Sequence, residues 1–145
     1  MRALAATVVA TVMMMAGTAN GATGERPMVR IAEIEVDPAQ LGAYKAILAE
    51  EQEASVLLEP GVVMLHSVAI AGQPSHIRLL EVYASRSAYE AHLKAPHFVK
   101  YKTATEKMVR SLKLVETDPI LLCAKSAGTA GGPVTCMSGP NLTIR

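Results

Sequence analysis

The stretch Val62–Tyr83, VVMLHSVAIAGQPSHIRLLEVY, decides the fold. Within it, Val62, Met64, Val68 and Ile70 alternate with Val63, Leu65 and Ala69, so the segment Val62 to Ile70 reads as a strand that is apolar on both faces. Gly72-Gln73-Pro74 is a turn signal, and Ile77 to Tyr83 returns to the extended pattern. The two strands make a hairpin.

Upstream, Glu59-Pro60-Gly61 breaks the chain, and before it Leu41, Tyr44, Ile47 and Leu48 recur at helical spacing, which predicts a helix to about Glu53. Asp37 caps that helix, Pro38 takes its first position, and Gln40 stands three residues after the cap. Met28 to Val36 (MVRIAEIEV) is a partly alternating strand rich in β-branched residues. Downstream, Ser85 or Ser87 opens a second helix, with Glu90 completing a capping box from Ser87. Pro96 interrupts it and starts further helix, along which Phe98, Tyr101, Thr105, Met108 and Leu112 continue one face. A last strand lies within Leu112 to Cys123, with a break at Asp118-Pro119. From Ala124 onward Gly, Ser, Thr and Pro dominate, so residues 123–145 are expected to form an irregular tail.

The order is βαββαβ, the α+β pattern of a ferredoxin-like sheet with both helices on one face. Its other face is left without cover. A second strand that is apolar on both sides therefore predicts homodimerisation through the sheets.

Residues 1–21 stand outside the fold. Arg2 is the only charge before Glu25, and Ala3 to Ala16 is an apolar run too short for a membrane span of about 20 residues. A positive start, an apolar run and small residues at Ala19 and Gly21 make a signal peptide, cleaved after Gly21 or alternatively at Ala19 or Ala22. A periplasmic or secreted protein is expected, with a short linker at 22–27 and the domain over 28–122. Removing Arg2 takes the formal charge from +1 to 0. A neutral chain without a basic block offers no footprint for nucleic acid, and no second apolar run is long enough to span a membrane. In an oxidising compartment Cys123 and Cys136 are a plausible disulfide pair, the alternative being two unpaired thiols in a loose tail.

Three stretches exceed generic fold signals: Glu59-Pro60-Gly61-Val62, Glu81-Val82-Tyr83, and the run AYEAHLKAPHF at 88–98. In that spacing they resemble the antibiotic biosynthesis monooxygenase family, especially its quinol monooxygenase branch, over roughly Met28 to Val115. The resemblance implies a dimeric α+β barrel with a pocket between sheet and helices in each subunit. It also implies a small oxygenase that acts on phenolic or quinol-like compounds without flavin, haem or metal. A haem-degrading branch of the same superfamily has a tryptophan, an asparagine and an iron-ligating histidine where this chain has His92, Ile34 and Lys102. None matches, which disfavours haem degradation. The family often has Ser or Thr at the position of Ala95, so the cap before Pro96 is weaker here.

The residues support that chemistry on their own terms. There is no Gly-rich phosphate loop, no HExxH or CxxC spacing, and no nucleophile elbow. His92 and His97 straddle a proline break, a poor match to two metal ligands on one helical face, so no metal is expected. A phenol becomes a far better reductant of oxygen once deprotonated, and histidine suits the base role. His92 is the candidate base, with Tyr89 three residues earlier on the same helical face, the alternative being a capping or packing residue at a helix end. Glu81 is an acid on the strand face of Ile77, Leu79 and Tyr83. It either orients the base or binds a substrate hydroxyl, or it is a satisfied polar group hydrogen-bonded to the helix or the dimer partner. Tyr83, Tyr89, His97, Phe98 and Tyr101 are the candidate substrate contacts, with a turn-capping role at Pro96 as the alternative for His97 and a place in the core as the alternative for Phe98 and Tyr101. Tyr44 is expected in the core, and His66 and His76 are given no role. The rival to an enzyme is a dimeric protein that only binds a small apolar or aromatic ligand.

Overall fold

The computed structural model describes residues 26–125 and 134–138, so the expected signal peptide lies outside the described residues. Strand β1 (Met28–Val36) runs antiparallel between β3 (Gln73–Tyr83) and β4 (Val109–Thr117), and β2 (Val62–Ile70) pairs with the far side of β3. The sheet order is therefore β2-β3-β1-β4. The helices are α1 (Leu41–Leu58), α2 (Arg86–His92) and α3 (Pro96–Thr105). This is the expected ferredoxin-like α+β arrangement.

Register decides which residues meet the helices. Ala32 pairs with Leu79 and Ile34 with Ile77, so these four share one face. They join Val36, Tyr44, Leu48 and Tyr101 in the main core cluster, which puts α1 and α3 on that face. A second cluster of Met28, Val62 and Tyr83 packs with Ala88 and Tyr89 of α2. The opposite face carries Ile31, Met64, Val68, Leu80 and Val115 by the same alternation, and Val68 is 61% exposed.

Several boundaries differ from expectation. Helix α1 runs past Glu53 to Leu58 and stops where the Glu59 N–H bonds back to the Ser55 carbonyl at 3.0 Å. Asp37 accepts from the Ala39 N–H as expected, but Gln40 closes no capping box and its amide donates to the Lys107 carbonyl at 3.4 Å. Ser85, not Ser87, caps α2, by accepting from the Ala88 N–H at 3.0 Å. No side chain caps α3 at Ala95. Helix α3 ends at Thr105, whose hydroxyl donates to the Tyr101 carbonyl, and Met108 and Leu112 lie beyond it. There the Asp37 N–H bonds to the Met108 carbonyl at 2.8 Å, fastening the start of β4 to the end of β1 and opening the strand before Leu112. Strand β3 begins at Gln73 because Ala71 and Gly72 alone make the turn, Gly72 at φ 78°.

The tail is not irregular where it is described. β5 (Leu121–Lys125) and β6 (Val134–Ser138) pair as a separate two-stranded sheet, and Cys123 and Cys136 face each other in a disulfide. The bridge supplies what so small an apolar surface does not, about 3 kcal/mol by loop closure. Titration of unfolded, unreduced protein should find no free thiol. After reduction the hairpin should become protease-sensitive while the four-stranded sheet stays folded; two reactive thiols before reduction would refute the pairing.

Candidate functional site

Helix α1 carries one buried stripe, Tyr44, Leu48, Glu51 and Ser55, that turns from apolar to polar toward its C-terminus. Glu59 follows four residues after Ser55. Next comes Gly61, where a Cβ would lie 2.5 Å from the Ala88 Cβ, so glycine lets this turn press against α2. That approach sets Glu59 beside the end of α2. His92 Nδ1 is 2.9 Å and His97 Nε2 is 2.6 Å from the same oxygen, Glu59 Oε1. An ionised carboxylate only accepts, so both rings present N–H groups to it. A neutral His92 then keeps an unprotonated Nε2, which lies 3.8 Å from Glu51 Oε1.

His92 is 3% exposed and forms part of the wall of a cavity of about 180 Å³ between sheet and helices. Tyr83, Tyr89, Phe98 and Tyr101 line the same cavity, as do Glu81, Glu51 and Arg30. The chain has five Phe, Tyr and Trp residues, and the fifth, Tyr44, shares a 2.7 Å hydroxyl hydrogen bond with Tyr101. The rings form a continuous series through His92, which is 4.5 Å from Phe98 and 5.4 Å from Tyr83 between centroids. Three larger clefts, of about 470, 490 and 220 Å³, gather no such set; the first and third have no aromatic wall and the second has Tyr101 alone.

The expected residues divide cleanly. His92, Glu81, Tyr83, Tyr89, Phe98 and Tyr101 come together at the cavity. His97 does not line it. Its ring is turned by the first turn of α3 toward Glu59, and it flanks a small crevice with Ile47, Glu50 and Lys100, so it neither contacts the cavity nor caps the turn at Pro96. Glu81 accepts from the Tyr83 hydroxyl at 3.3 Å, while it also lines the cavity.

Sequence reasoning missed Glu59, Glu51 and Arg30. Arg30 occupies an apolar register of β1, two residues from Met28 and Ala32, and is 6% exposed. Its guanidinium donates to the Tyr89 hydroxyl and to Glu116, lies 4.3 Å over the Tyr89 ring, and leaves Nε without a protein partner. The signal for Arg30 and Glu51 was a charged residue in an otherwise buried period.

Burial sets the electrostatics. It pushes the carboxyls of Glu81 and Glu51 above the ordinary range, against hydrogen bonds from Tyr83 and Ser55 respectively. It likewise raises Tyr83, Tyr44 and Tyr101, which stay phenols and hydrogen-bond donors. Burial also opposes ionisation of Glu59, but the bonds from His92 and His97 outweigh it and hold its carboxyl low.

A raised Glu81 has a stability consequence. A carboxyl with a higher folded than unfolded pKa favours the fold fully below the unfolded value, and loses that contribution as pH rises through the folded one. Glu81→Gln should therefore raise the melting temperature at pH 7. The gain should shrink as pH falls through the raised folded-state pKa and be gone once the ordinary carboxylate value is reached; a gain independent of pH would refute the cause.

The model of the antibiotic biosynthesis monooxygenase family matches residues 27–104. A solved Bacteroides thetaiotaomicron protein carrying the same family name is 46% identical, with TM-score 0.64, over 65% of this chain and 90% of that one. A Lactobacillus acidophilus protein named as a monooxygenase is 28% identical at TM-score 0.62, over 63% of this chain and 44% of that one. A Nitrosomonas europaea structure, at 22% identity and TM-score 0.61 over 64% of this chain and 89% of that one, shares the fold. No curated protein matches the chain. With the family model covering more than half of its length and the strands, helices and cavity in place, this chain belongs to the antibiotic biosynthesis monooxygenase family.

Proposed function

We propose that this protein is an exported, homodimeric monooxygenase that oxidises a small phenol or quinol with molecular oxygen, His92 accepting the phenolic proton. The observation that carries the reading is the gathering of four of the chain's five aromatic residues around one cavity whose wall also holds a carboxylate-oriented histidine. Aromatic walls favour an aromatic ring by edge and face contacts. Glu59 fixes the His92 tautomer, so the nitrogen left as acceptor is Nε2. Arg30, in the cavity wall, supplies positive charge for the phenolate that forms. The phenolate is itself the reductant of oxygen, so the reaction asks the protein for binding, deprotonation and shielding of the anion. On this reading no cofactor has to supply electrons.

Oxygen uptake by metal-stripped protein against a panel of hydroquinones and catechols tests the proposal. Uptake that depends on one ring pattern supports it. Saturable binding of the same compounds without uptake would instead make the protein a carrier of small aromatic molecules. The sheet face of Ile31, Met64, Val68, Leu80 and Val115, buried at Val29 and Val82 and open at Val68, supports dimerisation through the sheets. Light scattering at micromolar concentration should give twice the chain mass, and a stable monomer would refute the dimer.

A further inference from the structure

Glu59, His92 and His97 come from three places in the chain: the turn after α1, the last residue of α2 and the first turn of α3. Their atoms Oε1, Nδ1 and Nε2 all lie within 4.8 Å of one another. We propose that these three side chains bind a first-row divalent transition ion of the zinc class, and that the bound ion takes His92 out of proton transfer.

The donor set has the right chemistry. Two imidazole nitrogens and one carboxylate oxygen suit zinc, nickel, cobalt or copper, whereas magnesium and calcium prefer all-oxygen sites. The two histidines already aim their ring nitrogens at a common point, since both bond to one oxygen, at 2.9 and 2.6 Å. In a tetrahedral site with bonds of about 2.0–2.1 Å, ligand atoms stand about 3.3 Å apart. Glu59 must therefore withdraw by roughly half an ångström, a small movement for a side chain 15% exposed at a helix end, and the two nitrogens, within 4.8 Å of one another, settle at the same spacing. Solvent supplies the remaining coordination. A buried carboxylate also stands ready behind one ligand: Glu51 Oε1, 3.8 Å from His92 Nε2, is placed to receive the N–H that a metal-bound imidazole presents on its other side.

The effect on His92 follows from proton counting. In the metal-free state Nδ1 carries the ring proton and Nε2 accepts. The ion takes the Nδ1 lone pair, so the neutral ring must carry its proton on Nε2; His97 shifts its own from Nε2 to Nδ1 in the same way. No proton is gained or lost. Nε2 then donates and no longer accepts, while the ion itself sits on the His97 side of the ring, and His97 is no part of the cavity wall. The ion is thus an inhibitor acting from behind the base. This second half rests on His92 being the base; the site itself does not.

Calorimetric titration of tag-free, metal-stripped protein with zinc chloride tests the site. One ion per chain is expected, with magnesium giving no heat. His97→Ala and His97→Gln should each weaken binding at least tenfold, whereas His66→Ala should not, and circular dichroism shows that each variant is folded. The absence of saturable binding, or unchanged binding in both folded His97 variants, would overturn the site. Zinc should also abolish quinol-dependent oxygen uptake, reversibly with a chelator, and do so at least tenfold less effectively in His97→Gln. Zinc bound at one per chain with uptake undiminished would overturn the switch. If no quinol is turned over at all, the binding measurement still decides the site.

Discussion

His92→Ala is expected to reduce turnover by about 10²–10⁴-fold, the range a positioned general base contributes. The base is identified by geometry: Nδ1 is committed to Glu59 at 2.9 Å, and the ring sits between Phe98 and Tyr83 in the cavity wall. The position at a helix end beside a proline break suggests a residue that tolerates truncation, but at 3% exposure it is part of the packing. Removing it also leaves Glu59 one donor short, at a cost of about 1–3 kcal/mol. His92→Gln therefore accompanies the alanine variant, because it keeps most of the volume and a hydrogen-bond donor. Initial rates of oxygen uptake and thermal melts are measured together. Both variants should lose turnover and only the alanine variant should lose much stability. A folded variant with parental turnover would remove the catalytic role of His92.

Tyr44→Ala should cost the fold about 3–5 kcal/mol, as truncation of a large buried ring does. Tyr44 has no exposed surface, packs in the main core cluster and bonds the Tyr101 hydroxyl at 2.7 Å. It thereby couples α1 to α3, the two helices that bring Glu59 and Phe98 to the cavity region. Tyr44→Phe keeps the ring and deletes one hydrogen bond, so it should cost about 1 kcal/mol, somewhat more if the Tyr101 hydroxyl finds no water. Against a total stability of roughly 5–15 kcal/mol, the alanine variant should lose a large share of its margin. Denaturant midpoints for the pair check this. Equal losses would mean that the hydroxyl pair, not the ring, carries the contribution.

The βαββαβ order could be read from sequence because each element has its own period and its own stop signal. Even site membership was partly legible, since Glu81 and Tyr83 share a strand face and Tyr89 and His92 share a helical one. What failed was long-range. Adjacent residues His97 and Phe98 diverge by about 100° around α3, so one reaches Glu59 and the other the cavity. Nothing local in Glu59-Pro60-Gly61 tells that its acid meets two histidines more than thirty residues away. Likewise the pairing of β5 with β6 depends on a covalent bridge across the chain, in a composition that favours loops.

The ring series around His92 gives the protein an optical property of its own. There is no tryptophan, and all four tyrosines, Tyr44, Tyr83, Tyr89 and Tyr101, belong to that series. Near-ultraviolet absorption and emission of the native chain thus originate in one place, save for the weak contribution of the disulfide. The unlabelled protein is its own spectroscopic probe: any molecule that enters the cavity, or any ion that reorients His92, perturbs the same few chromophores.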